Sequence, residues 1–131
     1  MKKKIVTGKT VKKTEAADNL KLKKAITILD AHGAVDIKAF STVKESGLWD
    51  HYVVCSGASS VHTGALRDHL KKEMAEAGFP IFYEDRDTET KWIAADFGDI
   101  LIHIFEPETR IYYALERMWS GSEENLDFLT V

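Results

Sequence analysis

The fold is decided by the segment from residue 92 to residue 105, which reads Trp92-Ile93-Ala94-Ala95-Asp96-Phe97-Gly98-Asp99-Ile100-Leu101-Ile102-His103-Ile104-Phe105. Its two apolar runs are separated by Phe97-Gly98, where the glycine can supply the positive φ of a two-residue hairpin turn. Side chains alternate between the two faces of a strand, so Trp92, Ala94 and Asp96 are expected to share one face. The second run is apolar on both faces, which predicts a central strand covered on both sides.

Outward from this hairpin, the sequence alternates between helical and strand patterns. Apolar residues at helical spacing predict two helices, which begin after Asp18 or Asn19 and after Ser59 or Ser60. Their buried faces are expected to comprise Leu22, Ala25, Ile26 and Leu29 in the first helix, and Leu66, Leu70, Met74 and Ala77 in the second. Further strands are predicted over residues 35–39, 51–56 and 81–84, with a polar loop over residues 85–90.

A last helix is predicted to begin at Pro107, with Ile111, Leu115 and Met118 along its buried stripe. The order of elements is therefore helix, two strands, helix, three strands, helix. We predict an α/β protein with a five-stranded mixed sheet and helices packed on it.

Composition and charge indicate a single soluble domain with an uneven distribution of charge. Of the 131 residues, 44% are hydrophobic and 30% are charged, and a domain of this size buries about two-thirds of its unfolded surface. Residues 1–24 contain nine lysines and two acids, whereas residues 25–131 contain nine bases and 19 acids, a net charge of −10. We predict a flexible basic arm over residues 1–17, a domain over residues 18–120 and an acidic tail over residues 121–131.

Other features indicate a cytoplasmic protein that does not contact membranes. No apolar run approaches the roughly 20 residues that a membrane-spanning helix needs. The lysines near the start are not followed by the hydrophobic segment of a secretory signal. The single cysteine, Cys55, excludes an internal disulfide, which suits a reducing compartment.

The residue types that carry chemistry do not form a catalytic or metal-binding motif. His62 and His69 lie two helical turns apart, about 10.5 Å along the axis, which is too far for one metal ion without a third ligand between them. Cys55 lies in an apolar strand without a neighbouring cation to lower its pKa. Asp85 and Asp87 have a spacing that could hold Mg²⁺ on a strand, but they fall in the predicted polar loop, which favours a solvated loop over a metal site. We therefore predict no catalytic residue, no metal and no cofactor.

The region from Glu84 to Glu108 is strongly acidic, with eight acids against Arg86 and Lys91. If Trp92 faces outward, an aromatic anchor beside carboxylates forms a binding patch for a basic protein. If Trp92 faces inward, it is a core residue. The pattern by itself allows both positions.

Three blocks of sequence resemble the ribosomal silencing factor family, also called Iojap-like. They are Ser56-Gly57-Ala58-Ser59-Ser60-Val61-His62, the segment Lys91 to Phe105, and Arg110-Ile111-Tyr112-Tyr113-Ala114-Leu115-Glu116-Arg117-Met118-Trp119. The strand from Asp50 to Cys55 is similar as well. The blocks occur in the family's order, and the resemblance covers residues 18–120.

The resemblance implies a nucleotidyltransferase-like fold without catalytic acids, and hence a protein that is not an enzyme. It implies binding to ribosomal protein L-fourteen on the large subunit, where the factor blocks joining of the small subunit and represses translation under nutrient limitation. The partner-binding residues that it implies are Trp92, Phe97 and Asp99, with Asp96 and Glu84 as further candidates. The family usually has leucine where this chain has Phe97.

Two alternatives stand beside this expectation. The implied fold also hosts metal-dependent nucleotidyltransferases, although that chemistry needs two alternating acids soon after the Gly-Ser turn, and Asp68 is the only acid there. The lysine-rich arm could add a weak contact to rRNA phosphates. The sequence leaves open whether the protein is a monomer or a homodimer.

Overall fold

The computed structural model describes residues 19–41, 49–87 and 91–129. In chain order its elements are α1 (Leu20–Ala31), β1 (Val35–Ser41), β2 (His51–Ser56), α2 (Ser60–Glu76), β3 (Tyr83–Asp87), β4 (Trp92–Asp96), β5 (Ile100–Phe105) and α3 (Pro107–Tyr113). Two 3-10 helices follow, over Leu115–Ser122 and Asp127–Leu129. The basic arm predicted for residues 1–17 lies outside the described residues.

The five strands form one sheet in the order β1-β2-β5-β4-β3. Strands β2 and β5 run parallel, and the other neighbouring pairs are antiparallel. The prediction of an α/β protein with a five-stranded mixed sheet is therefore confirmed, as is the central position of β5. The likeness to nucleotidyltransferases stays a prediction.

Helices α1 and α2 cover one face of the sheet and form the main core with it. Their buried side chains include every predicted face residue except Ala77, which is exposed because α2 ends at Glu76. From the sheet, Ile93, Ala95, Ile100, Ile102 and Ile104 point into this core. Side-chain caps begin both helices: Asn19 accepts from the Leu22 amide, and Ser59 accepts from the His62 amide.

A smaller cluster covers the opposite face of the sheet. It contains buried Phe40, Val54 and Phe105, with Trp92, Leu115 and Trp119 packed against them. Because α3 and the following 3-10 segment are short, this second layer is thin. Among the described residues, no helix is long and apolar enough to cross a membrane.

The hairpin forms, but its turn lies one residue later than predicted. Asp96 pairs with Leu101, and the Phe97 amide donates to the Ile100 carbonyl at 2.9 Å. The two central residues are therefore Gly98, with a φ of 101°, and Asp99. Phe97 extends the β4 alternation and joins Ile93 and Ala95 in the core.

The third strand is also displaced from its predicted position. β3 begins at Tyr83 and continues to Asp87, so the expected polar loop over residues 85–90 is wrong at its start. Pairing with β4 over its whole length explains why these polar residues adopt an extended backbone. As an edge strand, β3 can expose polar side chains without cost to the core.

The predicted stripe of the last helix is wrong, because α3 buries Arg110 instead. Arg110 is 7% exposed and donates to the Ser56 hydroxyl at 3.1 Å and to the Val35 carbonyl at 3.2 Å. Its Nε donates to Glu116 at 3.1 Å. To bring Glu116 back to the guanidinium, the chain turns at Ala114, whose φ is 45°. Helix periodicity stops there, and the side chains of Ile111 and Met118 lie exposed.

Arg110 also accounts for the irregular start of β1. The strand predicted over residues 35–39 forms, but its start is irregular: Val35 is exposed and Asp36 has a φ of 51°. The register with β2 shifts between Val35 and Lys38. Asp36 lies 3.4 Å from the Arg110 guanidinium, so this bulge supplies a carbonyl and a carboxylate to a buried cation.

The C-terminal residues expected to form an acidic tail are part of the domain as far as residue 129. Glu123 bridges to Phe40, and the Glu124 amide donates to the Ala39 carbonyl at 2.7 Å. Leu126, Phe128 and Leu129 then pack against the main core. Apolar residues interspersed with the acids explain why this segment folds back rather than remaining in solvent.

Candidate protein-binding surface

The tip of the β4–β5 hairpin is tied to α1 by a lysine. Lys21 contacts the Asp99 carboxylate at 2.8 Å, and its ammonium also donates to the Phe97 carbonyl. The Asp99 side chain remains 44% exposed, while that of Lys21 is 20% exposed. The carboxylate is thus held in place yet presented to solvent.

Asp96 shapes the same tip from the side of the turn. Its Oδ1 accepts from the Gly98 amide at 2.8 Å and from the Trp49 indole at 2.9 Å. Asp96 is half-buried, so its carboxylate organises the turn before any partner arrives. We expect a smaller direct role for it in binding than for Asp99.

Phe97 is fully buried and does not offer an anchor at the surface of this structure. The period of two would have indicated this, because residues 93, 95 and 97 share the face that packs on the helices. Phe97 therefore supports the hairpin tip from beneath.

Exposed aromatic rings lie instead on the segment that leads into β3. Phe82 is 73% exposed, and Tyr83 is 66% exposed. The Phe82 amide donates to the Asp96 carbonyl at 2.8 Å, and its ring covers Gly98, where an added Cβ would lie 3.3 Å from the ring. Both residues fall in the strand predicted over residues 81–84, and neither was a predicted partner-binding residue. The apolar-aromatic run Ile81-Phe82-Tyr83 beside Pro80 was the available signal.

Trp92 lies at the other end of β4, on the face opposite to the main core. Six residues of extended chain separate it from Gly98, which corresponds to about 20 Å. Its half-buried ring packs against Phe105 and Tyr113, with centroids 4.9 and 5.0 Å away. The structure therefore does not bring Trp92 and Asp99 together, although both lie on the same hairpin.

His103 accepts the indole hydrogen of Trp92 on Nδ1 at 3.0 Å. This bond requires a neutral imidazole with its hydrogen on Nε2, and the buried Nε2 has no partner among the described residues. Burial lowers the pKa of His103 to about 4. Its alternation with Ile102 and Ile104 in the sequence indicates the second face of the sheet but does not predict the bond to Trp92.

Glu84 lies on the opposite side of the sheet from Trp92. It pairs with Ala95 in register and so points toward α2, where Lys71 contacts it at 2.6 Å and Arg67 at 3.4 Å. Two cations offset its charge. Its role as a partner-binding residue stays a prediction.

The thiol of Cys55 is not arranged as a nucleophile. Burial in β2 raises the pKa of Cys55 to about 12, although the Arg110 charge acts in the opposite direction. A thiol with such a pKa stays protonated near neutral pH and is unreactive.

Comparison with known proteins assigns the chain to a family. The family model described as "Ribosomal silencing factor during starvation" matches residues 13–130. The chain belongs to this family. The match extends beyond the predicted domain at both ends and includes the C-terminal residues that pack on the core.

Individual relatives agree with this assignment. The chain is 34% identical over 92 residues to the ribosomal silencing factor RsfS of Haemophilus influenzae, covering 70% of this chain and 90% of that one. A crystal structure of a Chromobacterium violaceum protein matches with a TM-score of 0.73 and 28% identity, covering 81% of this chain and 88% of that one. A more distant mouse relative, 30% identical over 99 residues, is named mitochondrial assembly of ribosomal large subunit protein 1. That match covers 72% of this chain and 43% of the mouse protein.

Proposed function

We propose that this protein is a cytoplasmic translational repressor that binds the large ribosomal subunit through ribosomal protein L-fourteen and blocks joining of the small subunit. Membership of the silencing factor family and the name of the mouse relative support a ribosomal role and the large subunit as its target. The mechanism needs no catalysis, because a rigid domain bound at the subunit interface excludes the other subunit by its volume.

The hairpin surface is the proposed contact, defined as Phe82, Tyr83, Asp96 and Asp99 at the tip and Trp92 at the far end of β4. The observation that carries the proposal is the pairing of an exposed ring, Phe82, with the half-exposed Asp99 carboxylate on a hairpin that Lys21 holds in place. Aromatic anchors supply much of the binding energy in protein interfaces, and rigidity limits the entropy lost on binding.

Charge supports a basic partner. The chain from residue 25 onward carries a net charge of −10, and ribosomal proteins are generally basic because they neutralise rRNA. Opposite charges accelerate association and fix the orientation of the partners. In this arrangement Phe97 acts indirectly, by supporting the tip from the core.

The test is sedimentation of ribosomal subunits through sucrose gradients at magnesium concentrations that allow them to associate. We expect the purified protein to migrate with the large subunit and to reduce the 70S peak. We expect Asp99→Lys to weaken binding to L-fourteen by about tenfold or more, which corresponds to about 1.4 kcal/mol. The substitution reverses the charge at the tip and leaves Lys21 beside a second cation.

The matched control is Glu76→Lys, which makes the same charge change at an exposed position near the end of α2. It should leave binding within about twofold of the wild type, because it lies outside the hairpin surface. Phe82→Ala should weaken binding without lowering the melting temperature, since the ring is mostly exposed. Unchanged subunit joining, with the protein bound to neither subunit, would refute the proposal.

A further inference from the structure

A histidine pair and a glutamate meet where the end of α1 lies against α2. The side-chain ligand atoms of His32, His69 and Glu73 all lie within 4.8 Å of one another. His32 Nε2 is 2.7 Å from Glu73 Oε2, and His69 Nδ1 is 3.7 Å from the same oxygen. We propose that these three residues form a binding site for one Zn²⁺ ion that links α1 to α2.

Local structure places all three side chains without help from a metal. His69 and Glu73 are four residues apart on α2, so they lie on one face a single turn apart. His32 follows α1 directly, and its carbonyl accepts a hydrogen bond from His62 Nε2 at 2.9 Å. Gly33, with a φ of 87°, then turns the chain away and leaves the His32 ring against α2.

The spacing suits a tetrahedral ion. Zinc bonds of about 2.0–2.1 Å to nitrogen and oxygen separate neighbouring ligand atoms by about 3.3 Å in a tetrahedral site. The two distances to Glu73 Oε2, 2.7 and 3.7 Å, each require a shift of about half an ångström to reach that value. The imidazole rings are stacked at 3.6 Å, so they must tilt for both nitrogens to face the ion.

Exposure allows these adjustments. The side chains of His32, His69 and Glu73 are 29, 44 and 31% exposed, so solvent can reach the site and supply a fourth ligand. Two imidazoles and one carboxylate form a donor set that Zn²⁺ binds well, whereas Mg²⁺ and Ca²⁺ prefer oxygen donors alone.

The other histidines and the cysteine are engaged elsewhere. His51 contacts the buried carboxylate of Glu124, and His62 donates a hydrogen bond to the His32 carbonyl. His103 accepts a hydrogen bond from the Trp92 indole. Cys55 is buried in β2. All five histidines and the single cysteine lie in the described residues, so one strong zinc site is expected. The spacing of residues along the sequence did not predict this set of ligands, because His32 reaches α2 only in the folded chain.

The experiment is isothermal titration of the full-length protein with ZnCl₂ after removal of metals with EDTA. We expect one ion per chain with micromolar or tighter affinity, and a rise in melting temperature with zinc, because an ion that binds only the folded state stabilises it. His69→Ala and Glu73→Gln should each weaken binding by about tenfold or more. Glu76→Gln, an exposed carboxylate on the same helix, is the matched control and should bind as the wild type does.

Two outcomes would overturn the site. In the first, the wild type shows no binding at about 100 μM zinc. Its affinity would then be weaker than that expected of a protein site with three ligands. In the second, His69→Ala and Glu73→Gln bind with wild-type affinity, so the ion lies elsewhere. Circular dichroism of each variant separates lost binding from lost folding. The result is independent of subunit sedimentation, because His32 lies at the opposite end of α1 from Lys21, which contacts the hairpin tip.

Discussion

Phe82 and Phe97 lie opposite each other where β3 and β4 begin to pair, yet only Phe82 reaches solvent. Phe97 is fully buried and Phe82 is 73% exposed. Both are phenylalanines, so residue type could not distinguish them. The alternation of side chains along β4 places Phe97 on the face that packs on the helices. The position of Phe82 beside Gly98 is defined only by the pairing of the two strands.

His103 allows a prediction at the scale of a single residue. Its folded pKa of about 4 lies below the ordinary value of 6.5, so between these values the unfolded chain binds a proton that the folded chain does not. Stability is therefore expected to fall as pH decreases below 6.5, by about 2 kcal/mol from this residue on reaching pH 5. Urea unfolding at pH 7.5 and pH 5 measures the change.

The control for this prediction is His103→Gln, which does not titrate. We expect the variant to be less stable than the wild type at pH 7.5 but to lose less stability on acidification. An equal loss of stability in both proteins would show that other groups dominate the acid response.

At the scale of elements, tertiary contacts set the end of α3 and the C-terminal boundary of the packed domain, and both differ from the sequence prediction. α3 is shortened because Arg110 recruits Glu116, and the C-terminal segment over residues 121–129 is fixed by Glu124. The side chain of Glu124 is fully buried, and its Oε2 is 2.6 Å from His51 Nδ1 at the start of β2. Glutamate is rarely fully buried unless it is paired, so this burial indicates a specific anchor.

We therefore expect Glu124→Ala to release the C-terminal segment. The variant loses the buried bond to His51 and should lower the free energy of unfolding by about 2–4 kcal/mol. Hydrogen exchange should accelerate at the Glu124 and Leu129 amides, which are bonded to Ala39 and Leu126. Glu123→Ala is the neighbouring control and should change stability much less. Unchanged exchange in Glu124→Ala would show that Leu126 and Phe128 suffice to hold the segment.

At the scale of the whole molecule, the acidic domain and the basic N-terminal residues predict two different contacts. The domain suits a basic protein, whereas six lysines within residues 1–17 suit phosphate groups. On a large subunit, rRNA and protein lie side by side. We retain the hypothesis that the arm adds a weak contact to rRNA.

Deletion of residues 1–17 should then make binding to large subunits less dependent on salt. Each phosphate neutralised contributes about 0.7–0.9 to the slope of log affinity against log salt concentration. We expect the magnitude of this slope to decrease by about one unit or more. The measurement is co-sedimentation between 50 and 200 mM KCl, because salt in this range strongly changes the affinity of a protein that makes about 6–10 phosphate contacts. Full-length chain with its six arm lysines changed to glutamine should behave like the deletion. An unchanged slope would show that the arm makes no such contact.

The sequence by itself determined the order of the helices and strands, the central position of β5, two candidates for each helix cap and most residues of α1 and α2 that face the main core. These follow from periodicity and from local hydrogen bonding, which act over a few residues. The tertiary structure decided the end of α3, the bulge at Asp36, the burial of Glu124 and the meeting of His32 with His69 and Glu73. Each of these depends on a polar or charged side chain whose partner comes from a distant element. Local periodicity acts over a few residues, so it does not indicate which distant residue supplies that partner.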